Sequence, residues 1–204
     1  MRPTQVQTWG TAPSTEFQSL TITAASSHRQ ARDGHCAPVD RVLASATSYE
    51  LQSLLNRVQM SHAYHNTPIQ FLYPENWQLN ESRNRDGLTV SLQSSYSMFL
   101  FLNYYDRAVA PAELANEALQ TMADEYPELD ANPVAETIAD QSAVGHDVSF
   151  FSLDLTNTCW IRAFSAGEHA VLIFAQTSDL DLERAEQAFR GVCASLKLDT
   201  TRAG

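Results

Sequence analysis

Two apolar runs near the end of the chain, at residues 159–165 and 170–177, most limit what this sequence can fold into. A three-residue loop at 166–168 predicts a hairpin in which Ser165 faces His169 and Trp160 faces Phe174. One face of this hairpin carries Trp160, Phe164, Leu172 and Phe174, and the other Ile161, Ala163, Val171 and Ile173. A sheet with water on one side alternates apolar and polar residues, so this sheet is predicted to be covered on both sides.

Further strand and helix signals surround this hairpin. Short apolar runs between turn residues predict six more strands, at 69–72, 77–80, 88–93, 98–104, 134–139 and 148–155. Two amphipathic segments predict helices over 111–126, where Pro111 suits the first helical position, and over 179–197. The predicted fold class is therefore α+β, an α/β/α sandwich with one mainly antiparallel sheet covered by helices.

Residues 1–59 differ from the remainder in pattern and in charge. They hold five basic and four acidic side chains, a net charge of +1, whereas residues 60–204 hold eight and twenty, a net charge of −12. Most of this first part shows no periodicity and is predicted to be a disordered leader, with a short helix at about 48–60 that a capping box introduces. Two alternatives stay open: residues 1–59 belong to the protein, as the capping box favours, or translation begins at Met60. Residues 60–204 are predicted to form one domain.

The charge and the cysteines indicate where such a protein works. A net charge of −11 repels phosphate backbones and anionic lipid, so neither nucleic acid nor a membrane surface is an expected partner. Cys36, Cys159 and Cys193 are odd in number and widely spaced, which disfavours a disulfide framework or a zinc site. The longest apolar runs are too short to span a bilayer, so we expect a soluble cytoplasmic protein without membrane insertion.

The sequence contains no recognisable catalytic or cofactor motif. It lacks a phosphate-binding loop, a dinucleotide-binding glycine pattern, His-Glu-x-x-His and Gly-x-Ser-x-Gly. His62 and His65 precede the first predicted strand and are interpreted as part of a solvated leader, while His146 and His169 fall in predicted turns. We therefore predict no catalytic residue, no metal site and no cofactor.

Arg162 is the exception within the predicted core, since it lies between Trp160 and Phe164 on one face of a strand. A guanidinium among apolar neighbours needs a partner. One interpretation is an anchor for an anionic ligand; the other, which we favour, is an ion pair with a nearby acid such as Asp154, stacked on an aromatic ring.

The order of elements resembles the Mog/PsbP-like fold family. The resemblance spans about residues 69–197, from the "YPENW" stretch through a Gly-bearing turn "VGHD" to a closing helix that ends "FRGVCASLKL". The positions that carry it are Tyr73, Pro74, Trp77, Gly145, Trp160, Arg162, Phe164, Phe189, Ser195 and Leu196. The family includes the PsbP proteins of photosystem II, the Ran-binding Mog protein, DcrB-type domains and Eag-type chaperones. Residues 1–59 do not resemble the transit peptide or lipoprotein signal of the secreted branches, so we expect a bacterial member outside those branches.

The resemblance implies a fold and leaves the function open. We expect a small non-enzymatic module that binds an unknown protein partner, as a monomer or homodimer. An Eag-like chaperone for apolar segments of a secreted effector is the second hypothesis, and a small-molecule carrier or enzyme with a pocket between sheet and helices is the third. Arg162, Trp77 and Trp160 are the candidate ligand-binding or partner-binding residues.

Overall fold

A computed structural model describes residues 60–199, and every structural statement below concerns that range. Within it lie ten strands, two α-helices and a single 3₁₀ turn. In chain order they are β1 (Met60–Asn66), β2 (Ile69–Pro74), β3 (Gln78–Arg83), β4 (Gly87–Gln93), β5 (Phe99–Tyr105), α1 (Pro111–Glu125), β6 (Asp130–Ile138), β7 (Gln141–Ser152), β8 (Leu155–Ala166), β9 (His169–Ser178), the 3₁₀ turn (Asp179–Asp181), α2 (Leu182–Ser195) and β10 (Lys197–Leu198). The helix predicted at about 48–60 lies outside the described residues except for Met60, which begins β1.

Seven strands form the main sheet, in the order β3-β4-β5-β9-β8-β7-β6, and all neighbours in it are antiparallel. Its edges are β3 and β6. Pro133 lies in β6, where its missing N–H removes no interior ladder bond. The predicted α+β class with an antiparallel sheet is confirmed.

Both faces of the main sheet are covered, as the apolar faces of the last hairpin predicted. On one face Trp160 and Phe164 pack with Phe189 of α2 and with residues of β1 and β2. On the other, Ile161 and Ala163 belong to a second cluster, with residues of α1. Burial of these side chains on both faces supplies the main stabilisation of the fold, at about 25 cal/mol per Å² of apolar surface.

A second, three-stranded sheet has the order β1-β2-β10 and was not predicted. The strand predicted at 69–72 lies here, as part of β2, and not in the main sheet. His62 and His65 lie in β1 and not in a solvated leader, and the ring of His62 packs edge-on against Tyr73 at 5.5 Å. Strand β1 was not predicted because "MSHAYHN" lacks the apolar alternation that marks a half-buried strand.

The register predicted for the last hairpin was wrong by one residue. Ala166 pairs with His169 across a two-residue loop, so Trp160 faces Ala175 and not Phe174. Trp160 and Phe164 therefore share their face with Val171 and Ile173, which were assigned to the opposite one. The first loop residue, Gly167, has φ of 68°, a left-handed conformation that glycine adopts without a steric cost and that permits so short a loop.

Two other tight turns explain why the boundaries of β6, β7 and β8 were misplaced. Residues 139–140 and 153–154 form two-residue turns in which all four φ angles lie between 52° and 60° without a glycine. Such turns usually contain Asn or Gly, and neither residue is present at these positions to mark them. The strand predicted at 148–155 consequently crosses the turn at Asp154, and the "VGHD" stretch lies inside β7 and not in a turn.

Candidate partner-binding groove

A groove of about 1020 Å³ opens beside the start of α2. Its walls are the turn after β2, the loop between β4 and β5, and the segment that leads into α2. The residues that line it are Pro74, Glu75, Asn76, Trp77, Ser94, Tyr96, Met98, Asp179, Leu180, Asp181, Leu182, Glu183, Arg184, Ala185 and Gln187. We call this feature the α2 groove.

The first wall is the turn that joins the two sheets. Pro74 ends β2 in the small sheet, and the Trp77 N–H donates to the Pro74 carbonyl at 3.1 Å just before β3 enters the main sheet. The Trp77 ring is buried in the core that α2 covers. Trp77, predicted as a binding residue, is thus a largely buried anchor of the groove wall.

A network of hydroxyl groups fixes the second wall. Ser94 Oγ accepts the backbone N–H groups of Tyr96 and Met98, each at 3.1 Å, and folds the loop into a compact turn. Ser97 Oγ donates to Asp181 Oδ2 at 2.9 Å and lies 3.1 Å from Thr177 Oγ1. These bonds tie the β4–β5 loop to the segment that leads into α2, so they hold the second and third walls of the groove together.

The third wall presents exposed apolar and charged side chains. Leu180 is 69% exposed and Tyr96, opposite it on the loop, is 57% exposed. The guanidinium of Arg184 lies over the Tyr96 ring, 4.8 Å from its centroid. Sequence reasoning missed these residues, although a tyrosine within the polar loop "SSYS" and the acid-rich start "SDLDLE" of the last helix are visible signals.

Arg162 does not line the α2 groove; its side chain is fully buried beneath α2. It donates from Nε to Glu136, from Nη2 to Asp147 at 2.7 Å, and from Nη1 to the carbonyls of His146 and Ile161 at 3.1 and 2.9 Å. The expected ion pair is therefore present, but its acids are Glu136 and Asp147 and not Asp154. Burial by itself would lower the pKa of Arg162, yet the two carboxylates outweigh it and the pKa is raised.

The acid partner of Arg162 is shared with a residue of α2. Arg190 Nη1 donates to Glu136 Oε2 at 3.0 Å, so one carboxylate bridges two guanidinium groups. The guanidinium of Arg162 also lies 5.7 Å from the centre of the Phe189 ring. This network connects the edge of the sheet to α2 and leaves Arg162 with four hydrogen bonds.

Trp160 lies beside Arg162 and not beside Trp77 in the groove. Its ring stacks on Phe189 with 5.1 Å between centroids and 13° between planes. The structure therefore separates the three predicted residues. Trp77 lines the α2 groove, while Trp160 and Arg162 pack under α2 against Phe189.

A smaller pocket of about 340 Å³ lies between α1 and the β6–β7 edge of the sheet. Its walls are mainly alanine, valine and proline side chains, and its polar side chains are those of His146 and Asn116, with 3.1 Å between His146 Nε2 and Asn116 Oδ1. Burial, and then the charge of Arg162, lowers the pKa of His146, which favours the neutral imidazole. Neither Arg162 nor Trp77 lines this pocket.

The chemistry available in residues 60–199 is limited. Within them no group of three or more His, Cys, Asp or Glu side chains is placed to hold a metal ion. Cys159 and Cys193 are buried free thiols, and burial raises the pKa of both, that of Cys193 to about 12. A thiol held in this neutral form is a weak nucleophile.

These elements define a class of protein fold: an antiparallel sheet whose two faces are closed by separate helices, with a small sheet beside the second helix. Cyanobacterial PsbP (CyanoP) from Synechocystis sp. PCC 6803 has a similar structure, with a TM-score of 0.51, 12% identity, and coverage of 67% of this chain and 91% of that chain. LpqN of Mycobacterium tuberculosis, a protein involved in cell envelope biogenesis, gives a TM-score of 0.49 with 12% identity over 76% of this chain and 98% of that chain.

At this level of identity the likeness concerns the fold alone, which is PsbP-like as the sequence resemblance implied. No family model matches the chain, and no curated protein matches it. Neither of the two helices in residues 60–199 is long and apolar enough to cross a membrane.

Proposed function

We propose that this chain is a small, non-enzymatic protein-binding module of the Mog/PsbP-like family and that the α2 groove receives its partner. The observation that carries the proposal is the groove itself, a concavity of about 1020 Å³ with exposed Tyr96 and Leu180 on walls fixed by buried anchors. Aromatic side chains that stand exposed on a rigid scaffold are frequent anchors of protein interfaces.

The lining of the groove favours binding over catalysis. The lining contains neither histidine nor cysteine. Its one basic side chain, that of Arg184, lies over the Tyr96 ring. The serines along its wall hydrogen-bond to one another and to Asp181, without a histidine base to activate them. A cytoplasmic location remains our proposal, and the free thiols of Cys159 and Cys193 fit a reducing compartment.

The chaperone hypothesis is less well supported than the binding module. A chaperone for apolar segments needs a continuous apolar surface. Leu180, Leu182 and Tyr96 lie at the groove among acidic side chains, and the exposed Phe151 and Leu153 of the β7–β8 turn are not part of its lining. The small pocket beside His146 would suit an apolar small molecule and keeps a carrier function as the third candidate.

Site-specific photo-crosslinking tests this proposal in cells of the source organism. A benzophenone amino acid replaces Tyr96, which is 57% exposed, in one variant and Gln120, an exposed residue of α1 on the opposite face of the main sheet, in a control variant. We expect a discrete crosslinked protein from position 96 that is absent from position 120. Identical products from both positions, or none from position 96, would overturn the proposal.

A further inference from the structure

The charges that line the α2 groove are strongly unbalanced. Four carboxylates, those of Glu75, Asp179, Asp181 and Glu183, face one guanidinium, that of Arg184. A cleft lined mainly by one sign of charge focuses its field and attracts the opposite charge. The groove therefore favours a cationic occupant and disfavours phosphates, acidic peptides and anionic lipid.

The structure also shows where a cation can lie in this groove. The Tyr96 ring already holds the Arg184 guanidinium at a centroid distance of 4.8 Å, a cation–π contact. Arg184 is in the first turn of α2, at the positive end of the helix dipole, where a cation is least favoured. An incoming arginine or lysine that lies over the same ring would displace Arg184 and replace its cation–π contact by an equivalent one.

Apolar surface beside these charges narrows the class of ligand. Leu180 is 69% exposed, and Leu182 follows it on the same segment. A small polyamine would leave both leucines in water, whereas a peptide can cover them with an apolar side chain placed between its cations.

We propose that the α2 groove binds a basic segment of a partner protein, with arginine or lysine side chains on the acids and on Tyr96 and an apolar side chain over Leu180. This inference rests on the proposed function, because it names the partner chemistry of the same groove. The proposed function leaves the partner unspecified, and this inference gives the partner segment a positive charge and an apolar side chain.

Three synthetic ten-residue peptides without aromatic residues test the inference on the full chain. The first combines four arginines with leucines, the second replaces each arginine by glutamate, and the third keeps the arginines and replaces each leucine by serine. Tryptophan fluorescence is followed in a Trp9→Phe background, which leaves Trp77 at the groove and the buried Trp160, at about 0.15 M salt, an ionic strength that screens unspecific attraction. We expect binding of the first peptide, none of the second, and at least about fivefold weaker binding of the third.

Charge reversal locates the site. Asp179→Lys with Glu183→Lys should weaken the first peptide about tenfold or more, since both side chains are exposed and line the groove. The matched control, Glu125→Lys with Glu128→Lys, reverses the same number of exposed charges at the end of α1 and should leave the affinity unchanged. Unchanged thermal midpoints show that all variants fold.

Equal weakening by the two charge-reversed variants, or equal binding of the leucine and serine peptides, would mean unspecific electrostatic attraction and would overturn the inference. Absence of binding by the first peptide would do the same. If crosslinking from position 96 still captures a discrete partner, the proposed function stands and the partner chemistry is wrong; if neither is observed, both fail.

Discussion

The guanidinium of Arg184 lies 4.8 Å from the centre of the Tyr96 ring, so the first turn of α2 closes over the loop between β4 and β5. The exposed aromatic ring that we propose as a binding anchor is thus already in contact with a cation of the same chain. A ligand that lies over this ring would compete with Arg184 for it.

Removing that arginine should strengthen the binding of a basic peptide. Arg184→Gln frees the Tyr96 ring and removes one positive charge from the groove, and a cation–π contact at an exposed site is worth about 0.5–1 kcal/mol, or about two- to fivefold in affinity. Fluorescence titration with the arginine–leucine peptide measures the change. Arg107→Gln, the same change at an exposed residue outside the groove, is the control, and equal affinities in the two variants would contradict the assignment.

Arg162→Met should destabilise the fold. The substitution leaves Glu136 as a largely buried carboxylate with only Arg190 as an ionic partner, so we expect a loss of about 3 kcal/mol or more in the free energy of unfolding. Urea denaturation measures it. The control is Arg83→Met, which breaks an exposed pair with Asp106 at 3.7 Å and should cost under about 1 kcal/mol.

The same variant separates the two interpretations of Arg162. A structural role predicts reduced stability with peptide affinity retained by the folded fraction. Unchanged stability together with lost binding would show instead that Arg162 serves a ligand.

Gly145→Ala should destabilise the sheet through a backbone clash. A Cβ at this position would lie 1.8 Å from the carbonyl oxygen of Ile161 on the neighbouring strand, closer than any packing allows, so we expect a loss of about 2 kcal/mol or more. Gly167→Ala provides the comparison, because nothing lies within 4 Å of its Cβ and only the positive φ opposes the change, at about 1 kcal/mol. Equal losses for the two variants in thermal or urea unfolding would contradict the close approach of β7 to β8.

Stability should fall at alkaline pH in a way that depends on Cys193. Its folded pKa of about 12 is above the ordinary value of about 8.5, so the folded state holds the proton more tightly. The contribution is complete below about pH 8.5 and is lost as pH rises toward 12, with a slope of up to about 1.4 kcal/mol per pH unit. Cys193→Ala should flatten the curve of unfolding free energy between pH 8.5 and 10, and parallel curves for the two proteins would contradict it.

Much of this fold follows from local patterns in the sequence. Pro111 and the apolar stripe that follows it specify α1, and the apolar faces of residues 159–177 require two covers, as the packing of α1 and α2 shows. These features depend on residue type and spacing, which a sequence displays directly.

Other features depend on contacts that no local pattern records. The turn at residues 153–154 adopts positive φ with leucine and aspartate, and the small sheet forms because β10 returns to pair with β2 after α2. Gly145 looked like a turn residue, although it lies inside β7 where the Ile161 carbonyl leaves no room for a side chain. In each case tertiary packing decides the conformation over local preference.

Of the residues that line the candidate site, only the buried anchor Trp77 was predicted from the sequence. Trp77 was identified from "YPENW", but the exposed Tyr96 and Arg184 meet across 88 positions of the sequence, a separation that only the closed fold removes. Arg162 is recognisable in the sequence as a charge among apolar neighbours, but its partner Glu136 lies two strands away on the edge strand β6, a proximity that the sequence does not display.

Hydrogen exchange on the protein with and without the partner captured from position 96 tests the central claim most directly. We predict slower amide exchange at residues 75–77, 94–98 and 179–187, the three walls of the α2 groove, and little change in α1 on the opposite face of the main sheet. Protection confined to α1 and the β6–β7 edge would place the partner at the smaller pocket, and would contradict the groove as the binding site.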